Sequence, residues 1–188
     1  MSQNANAQQA RTVTTVDRGK LDLKALTLYA ILLAAGFVLN LTVSKFFSGL
    51  TGGFLSPEFI IAAFCLEILI IKPNIGQAAV IGLLAGVVIQ ITASVKGPDL
   101  IAEPIAAVVM ALLVSALSDS KAKGLLPLVG TFIVTFISGI IYAVIFSFLI
   151  MKNPAFVGVM APVVAATGVA NAIIVAALHL PIKKALKL

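Results

Sequence analysis

Five polar side chains lie near or inside long apolar stretches of this sequence, where polar groups are costly to bury. Glu58, Asp99 and Glu103 are carboxylates close to the ends of such stretches, whereas Glu67 and Asn171 lie inside them. Ionisable groups in apolar segments are rare and mark candidate functional sites. A carboxylate can pair with a substrate amine, and an amide can hydrogen-bond a polar edge. These residue types therefore point to the binding of a polar solute.

The chain lacks the groups that most enzymes and metal proteins use. It contains no Gly-x-x-x-x-Gly-Lys-Ser/Thr sequence, so we expect no ATP hydrolysis by this chain. His179 is the only histidine and Cys65 the only cysteine, too few for the several ligands of a metal site. A single cysteine also excludes an intrachain disulfide. We predict that the protein is not an enzyme and carries neither a metal nor another cofactor.

The composition indicates what surrounds these polar residues. Of the 188 residues, 61% are hydrophobic and only 11% are charged, whereas a soluble domain has about 25% charged residues. Six apolar stretches predict an all-α integral membrane protein with six transmembrane helices, embedded in the lipid bilayer. The predicted spans form one domain over residues 23–188 and lie at 23–44, 57–71, 75–95, 105–118, 125–150 and 155–180.

Basic residues are distributed unevenly over the polar gaps. Ten of the thirteen Lys and Arg residues fall in the N-terminal segment, the second and fourth gaps and the C-terminal end; the other three are Lys45, Lys96 and Lys152. Because basic residues near span ends favour the cytoplasmic side, both termini are predicted to be cytoplasmic. The net charge of +6 then belongs to the inner face and implies no nucleic-acid partner. Residues 1–22 are predicted to be a disordered cytoplasmic tail without a cleavable signal peptide.

Two of the predicted spans are short. Residues 57–71 and 105–118 reach only about 21–23 Å at about 1.5 Å per residue, against a hydrocarbon core of about 30 Å. The first of these spans begins with Pro57, and Pro104 directly precedes the other. Proline favours the first turn of a helix. We expect their outer ends to stop below the outer surface and to border a cavity covered by the outer loops.

Each charged candidate has a structural interpretation beside the functional one. Glu58, in the first turn of the second helix, can stabilise the helix dipole or face a substrate amine. Lys96, Asp99 and Glu103 in the second outer loop are either solvated loop charges or parts of a lid over the ligand. Glu67 is expected to form an ion pair, for which Lys72 is the available cation, or to contact a partner subunit; its functional alternative is contact with the substrate.

The uncharged candidates also have two interpretations. Polar side chains inside the spans can form hydrogen bonds between helices or contact a ligand; they are Asn40, Gln90, Thr92, Ser94 and Asn171. Tyr142 and three phenylalanines of the first outer loop can stack on a flat ligand or pack in the membrane; these three are Phe46, Phe47 and Phe54.

Small residues predict where helices approach one another closely. Gly76, Gly82 and Gly86 in the third span have spacings that permit close helix packing. Ala30 and Ala34 in the first span share a helix face. This alanine face serves either internal packing or the docking of another subunit.

Together these features resemble the substrate-binding subunit, or S component, of energy-coupling-factor (ECF) transporters. The resemblance covers about residues 23–187 and rests on six spans with both ends inside and on the Ala30-x-x-x-Ala34 motif. In that family the motif contacts a coupling transmembrane subunit, in a complex that also contains two ATPases. The resemblance implies an S-component-like bundle in the bacterial plasma membrane that captures a nutrient from outside for ATP-driven uptake.

Within that group, several short motifs are similar to the tryptophan transporter family. They are Gly52-Gly53 with Pro57-Glu58, Lys72-Pro73-Asn74, the Gly82–Gly86 segment (Gly-Leu-Leu-Ala-Gly) and Asn171. Residues 98–104 (Pro-Asp-Leu-Ile-Ala-Glu-Pro) resemble the family's Pro-Asn-Ile-Ile-Asp-Lys-Pro loop, although Ala-Glu replaces Asp-Lys and changes the charge. The resemblance implies tryptophan or a related aromatic compound as substrate, with a vitamin such as cobalamin as the alternative.

The sequence therefore predicts a membrane subunit that binds a small nutrient. The predicted substrate-binding residues are Glu58, Gln90, Lys96, Asp99, Glu103, Tyr142 and Asn171, and the predicted partner interface contains Ala30 and Ala34. Two other classes stay open: a secondary transporter that works alone, with Glu67 as its coupling carboxylate, and a structural or assembly protein without a small-molecule ligand.

Overall fold

The structure, a computed structural model, describes residues 21–187, and this part of the chain is all-helical. Its α-helices are α1 (Leu23–Leu39), α2 (Lys45–Leu50), α3 (Phe59–Ile71), α4 (Ile75–Thr92), α5 (Pro98–Leu117), α6 (Thr131–Ile145) and α7 (Phe156–Ala185). Tighter or wider helical turns extend two of them: Asn40–Ser44 joins α1 to α2, Lys121–Leu125 and Leu126–Gly130 precede α6, and Phe146–Ile150 follows it. The predicted disordered tail, apart from residues 21 and 22, lies outside the described residues.

Five helical segments of the described chain are long and apolar enough to cross a membrane. They are Leu23–Leu50, Ile75–Thr92, Pro98–Leu117, Lys121–Ile150 and Phe156–Ala185. The apolar helix α3 is shorter, with 13 residues, and does not belong to these five. The prediction of an all-α, multi-pass membrane protein is confirmed to this extent, whereas the side of the membrane that holds the termini stays a prediction.

The short helix α3 lies at the centre of the bundle. Every residue from Ile60 to Ile71 is buried, and α3 contacts α1, α4, α5, α6 and α7. A helix that is apolar on all sides is stable only when other helices surround it. With 13 residues it reaches about 20 Å, so it cannot extend through the hydrocarbon core of about 30 Å. The prediction that this helix is short is confirmed, although it begins at Phe59 and Pro57 precedes it instead of opening it.

The bundle has two distinct ends. The start of α1, the end of α3 and the end of α7 meet in a small apolar cluster that contains Ala25, Ile70 and Ile71 and packs against Ile182. We call this the terminal end, because both ends of the described chain lie there. The opposite end, which we call the cavity end, contains the end of α1, the start of α3 and the turn between α4 and α5.

The predicted boundaries of the fourth span and of the second outer loop are wrong. The helix α5 begins at Pro98 and has 20 residues, so Pro104 lies inside it. Gly97 precedes it with φ 110°, a left-handed conformation that glycine adopts without strain, and Pro98 occupies the first turn, which proline favours. The sequence offers two prolines for the helix start, and the first is the correct one. Asp99 and Glu103 therefore belong to a helix and are buried, not part of a loop.

The first outer loop is also shorter than predicted. Because the wide turn Asn40–Ser44 continues α1 into α2, the helical segment extends to Leu50. Glu58 directly precedes α3 instead of lying in its first turn. The connection between α2 and α3 therefore consists of residues 51–58. Glu58 is its last residue and lies where the chain re-enters the bundle.

Candidate functional site

A cavity of about 340 Å³ lies at the cavity end of the bundle. All of the long helical segments contribute to its wall, as do α3 and the residues before it. One part of the wall is apolar and includes Ile61, Ile89 and Met160. The polar or charged residues of the wall are Asn40, Ser44, Lys45, Ser48, Ser56, Glu58, Thr92, Ser94, Asp99, Glu103, Thr135, Ser138, Tyr142 and Thr167.

Two carboxylates reach the cavity from α5. Asp99 and Glu103 are one helical turn apart and are 7% and 2% exposed. Their backbone lies directly against two glycines of α4: a Cβ atom on Gly82 would lie 2.4 Å from the carbonyl oxygen of Glu103, and one on Gly86 would lie 2.8 Å from that of Asp99. The predicted close packing is confirmed at Gly82 and Gly86 and is wrong at Gly76, where an added Cβ would lie 3.5 Å from Asn74 Oδ1 and contact no other helix. The close contact of α4 with α5 sets the position of both carboxylates.

The Glu103 carboxylate has one hydrogen bond and one free oxygen. Its Oε1 atom accepts a hydrogen bond of 2.8 Å from Ser138 Oγ on α6, whereas Oε2 is buried without a hydrogen-bond partner. The Asp99 carboxylate is held more loosely, since Gln90 Nε2 donates to its Oδ2 atom over 3.4 Å. An unpaired buried oxygen is costly, about 1–3 kcal/mol or more for a charged group, and Glu103 Oε2 belongs to a residue that lines the cavity.

Two asparagines hold the backbone where the chain enters α3. Asn171 Oδ1 accepts from the backbone N–H of Glu58 at 2.9 Å, and Asn171 Nδ2 donates to the Glu58 carbonyl at 3.2 Å. Asn40 Oδ1 accepts from the N–H of Phe59 at 2.7 Å, while its Nδ2 donates to Glu58 Oε2 at 2.8 Å. Irregular backbone at membrane depth needs such partners. The two amides thus fix Glu58 in the cavity wall.

The turn between α4 and α5 is closed by Gln90. Its Oε1 atom accepts from the N–H of Gly97 at 2.8 Å, and its own backbone carbonyl accepts from the Lys96 ammonium group. Lys96 is exposed. Because these bonds tie the turn to the start of α5, Gln90 and Lys96 help to position Asp99.

Of the seven predicted binding residues, the structure brings four together in one cavity wall. Glu58, Asp99, Glu103 and Tyr142 line the cavity, and the other three lie behind or beside it: Gln90, Lys96 and Asn171. Direct contact between these three and a solute stays a prediction. The contacts that the structure gives them are with the protein, and they position the carboxylates.

Aromatic residues lie at the cavity and beside it. Tyr142 stacks on Phe146, with ring centres 6.0 Å apart and an angle of 17° between the planes. Phe46, Phe47 and Phe54 are exposed and do not line the cavity. Tyr142 is therefore the aromatic side chain that a ligand in this cavity would meet.

Glu67 lies away from the cavity, in the middle of α3. It is fully buried, and neither of its carboxylate oxygens has a hydrogen-bond partner. The predicted ion pair with Lys72 is not formed. Lys72 follows the last residue of α3, with φ 56°, and is exposed. Its side chain therefore lies at the surface and not beside the buried Glu67 carboxylate.

The predicted partner surface on α1 is exposed. Ala30 and Ala34 both lie on the outside of the bundle, whereas Gly36 is the residue of α1 that approaches the backbone of Phe59. Internal packing is therefore not the role of the alanine face. Contact with another subunit stays a prediction.

Sequence reasoning missed the polar face of α6. Thr135 and Ser138 line the cavity together with Tyr142, and Thr131 lies on the same face one turn earlier. Their spacings of four, three and four residues put them on one side of a helix, a signal that was present in the sequence. Asn40 was predicted as a polar side chain that could bond between helices, and its bonds to Glu58 and Phe59 agree with that interpretation; it was not among the predicted binding residues, although it lines the cavity.

No protein-family model matches the chain, and neither a curated protein nor a solved structure matches it. The fold and the cavity themselves define the class: an all-helical, multi-pass membrane protein with a polar cavity at one end of its bundle.

Proposed function

We propose that this chain is a membrane-embedded solute-binding subunit of the ECF S-component type, which captures a small nutrient for uptake driven by partner ATPases. The observation that carries the proposal is the cavity at one end of the bundle, with three carboxylates in its wall: Glu58, Asp99 and Glu103. Concave sites with a mostly apolar wall and a few converging polar groups are typical of small-molecule binding.

The size of the cavity favours a small ligand. Its volume of about 340 Å³ lies near the lower limit of about 300–1,000 Å³ for ligand pockets. A molecule such as tryptophan is in keeping with this volume, whereas cobalamin is far larger. Tyr142, supported by Phe146, offers an aromatic surface on which a ring can stack. Tryptophan or a related aromatic compound is therefore the first substrate to test.

The distribution of lysines supports an outward-facing cavity. Three lysines of the described chain belong to the cavity end, Lys45, Lys96 and Lys152, whereas seven belong to the terminal end: Lys24, Lys72, Lys121, Lys123, Lys183, Lys184 and Lys187. Because cytoplasmic loops carry the excess of basic residues, the termini lie in the cytoplasm and the cavity opens outside. We place the protein in the bacterial plasma membrane.

The exposed alanine face supports a partner subunit. Small residues let another helix approach closely in the membrane, and Ala30 and Ala34 present such a surface on α1. The chain has no phosphate-binding loop of its own, so ATP hydrolysis would come from other chains. The proposed assembly contains the coupling transmembrane subunit and two ATPase subunits.

Ligand binding to the purified 188-residue chain tests this function. The protein in lipid nanodiscs is titrated calorimetrically with tryptophan and with a panel of amino acids and vitamins. We expect micromolar or tighter binding of at least one compound. Glu58→Gln should weaken this binding, whereas Asp119→Asn, an exposed acid at the terminal end, should leave it unchanged. The absence of any ligand across the panel would contradict the proposal.

A second candidate function rests on Glu67. A buried carboxylate without a partner is a possible coupling group for an ion-driven transporter. Vesicles that contain this chain alone distinguish the two: uptake driven by a proton or sodium gradient would favour the secondary transporter. Uptake only after addition of the coupling subunit and the ATPases would favour the ECF type.

A further inference from the structure

The three carboxylates of the cavity outnumber its cations. Among the residues that line it, Glu58, Asp99 and Glu103 are acidic and only Lys45 is basic. Lys45 is exposed, whereas Asp99 and Glu103 are buried. The charge balance of the wall is therefore negative, and its most deeply buried member is Glu103.

The hydrogen bonds that these carboxylates accept come from uncharged side chains. Asn40 donates to Glu58, Gln90 to Asp99 and Ser138 to Glu103. The second oxygen of Glu103 has no partner. Several carboxylates in a site of low dielectric constant repel one another and lose hydration. A positive charge inside the cavity would offset both costs.

The lining indicates an organic cation more than a metal ion. Within residues 21–187, no three His, Cys, Asp or Glu side chains are grouped so that they could hold a metal ion. The uncharged rest of the wall contains Asn, Ser and Thr side chains and also an apolar and aromatic part that includes Ile61, Tyr142 and Val163. A ligand with an ammonium group and an apolar body would match both parts of this wall, through charge-assisted hydrogen bonds and apolar contact respectively.

We infer that the solute of this cavity carries a positively charged amine, which binds between Asp99 and Glu103 with a hydrogen bond to the free Oε2 atom of Glu103. This inference rests on the proposed function, because it names the chemical class of the solute that the site binds. The apolar body of the solute then lies toward Tyr142. A compound of the same shape with a carboxylate in place of the amine is excluded by repulsion.

A series of compounds with one ring and different charges tests this inference. The 188-residue protein in nanodiscs is titrated with tryptamine, tryptophan and indole-3-propionate, and then with phenethylamine, phenylalanine and 3-phenylpropionate. We expect each amine to bind at least about 30-fold more tightly than the acid of the same ring, since leaving a buried charge unpaired has an effect of this size. Glu103→Gln should weaken amine binding by a similar factor, and Asp119→Asn should not.

Three results would overturn the inference. An acid that binds as tightly as its amine is the first, and amine binding that Glu103→Gln leaves unchanged is the second. The third is the failure of both amines and both amino acids to bind. The proposed function has its own test in each case. Binding of an uncharged or anionic nutrient, together with co-purification of the chain with ATPase and coupling subunits, would support the function even if the inference about the amine fails.

Discussion

Asn171 on α7 pairs with the backbone of Glu58 through both ends of its side-chain amide, at 2.9 Å to the N–H group and 3.2 Å to the carbonyl group. The two residues are 113 positions apart in the chain. The amide replaces the backbone partners that the irregular segment before α3 cannot find in lipid. Asn171, which the sequence predicts as a ligand contact, thus fixes the backbone directly before the central helix α3.

Asn171→Ala is expected to destabilise the protein. The change removes both hydrogen bonds from the Glu58 backbone and leaves buried polar groups without partners, at about 1–3 kcal/mol. Thermal unfolding in detergent should show a lower midpoint temperature and weaker ligand binding. Asn153→Ala is the control, because the Asn153 side chain accepts a local hydrogen bond from Ala155 N–H in an exposed turn. Equal stability of the two variants would contradict this role of Asn171.

Gly82→Ala and Gly86→Ala are expected to displace α5. The added methyl groups would lie 2.4 Å and 2.8 Å from backbone carbonyl oxygens of Glu103 and Asp99, and such overpacking costs about 1–3 kcal/mol. Ligand affinity should fall together with stability, since both carboxylates move. Gly76→Ala is the matched control: Gly76 has only Asn74 Oδ1 near its added methyl, at 3.5 Å, so this variant should retain binding.

Ala30→Leu and Ala34→Leu test the partner surface. Both positions are exposed in the bundle, so the larger side chains should leave folding and ligand binding unchanged. They should reduce co-purification with the coupling subunit and reduce ATP-dependent uptake, because a leucine prevents close helix approach. Ala177→Leu, at an exposed position of α7, is the control. Normal assembly of both α1 variants would show that the partner binds elsewhere.

Glu67→Met is expected to stabilise the protein. The methionine side chain is of similar length and removes two buried oxygens that have no hydrogen-bond partner, which should gain about 1–3 kcal/mol. Ligand affinity should not change, because Glu67 does not line the cavity. Glu67→Ala is the comparison and should destabilise, since it leaves a void in the core. If Glu67→Met binds ligand but abolishes transport, Glu67 acts in ion coupling instead.

Labelling of introduced cysteines tests the orientation. Cys65 is buried and should not react in the intact protein. In intact cells, a membrane-impermeant maleimide should label Asn153→Cys at the cavity end and leave Asp119→Cys at the terminal end unlabelled until the cells are opened. The reverse pattern would place the cavity on the cytoplasmic side.

The sequence by itself determined the class of the fold. Its apolar stretches are long and almost free of charge, and the bilayer allows little besides helices for such segments. Two further features were predictable from the sequence because they depend on local pattern. They are the close-packing spacing of Gly82 and Gly86 and the short length of the helix that ends at Ile71.

Only the tertiary structure decided how the polar residues meet. The start of α5 at Pro98 instead of after Pro104 depended on the contact of α5 with α4 and on the turn held by Gln90 and Gly97. The bonds of Asn171 and Asn40 to the Glu58–Phe59 backbone join distant parts of the chain. Local propensity contains no information about such pairs, since their energy arises only when separate helices pack and exclude water.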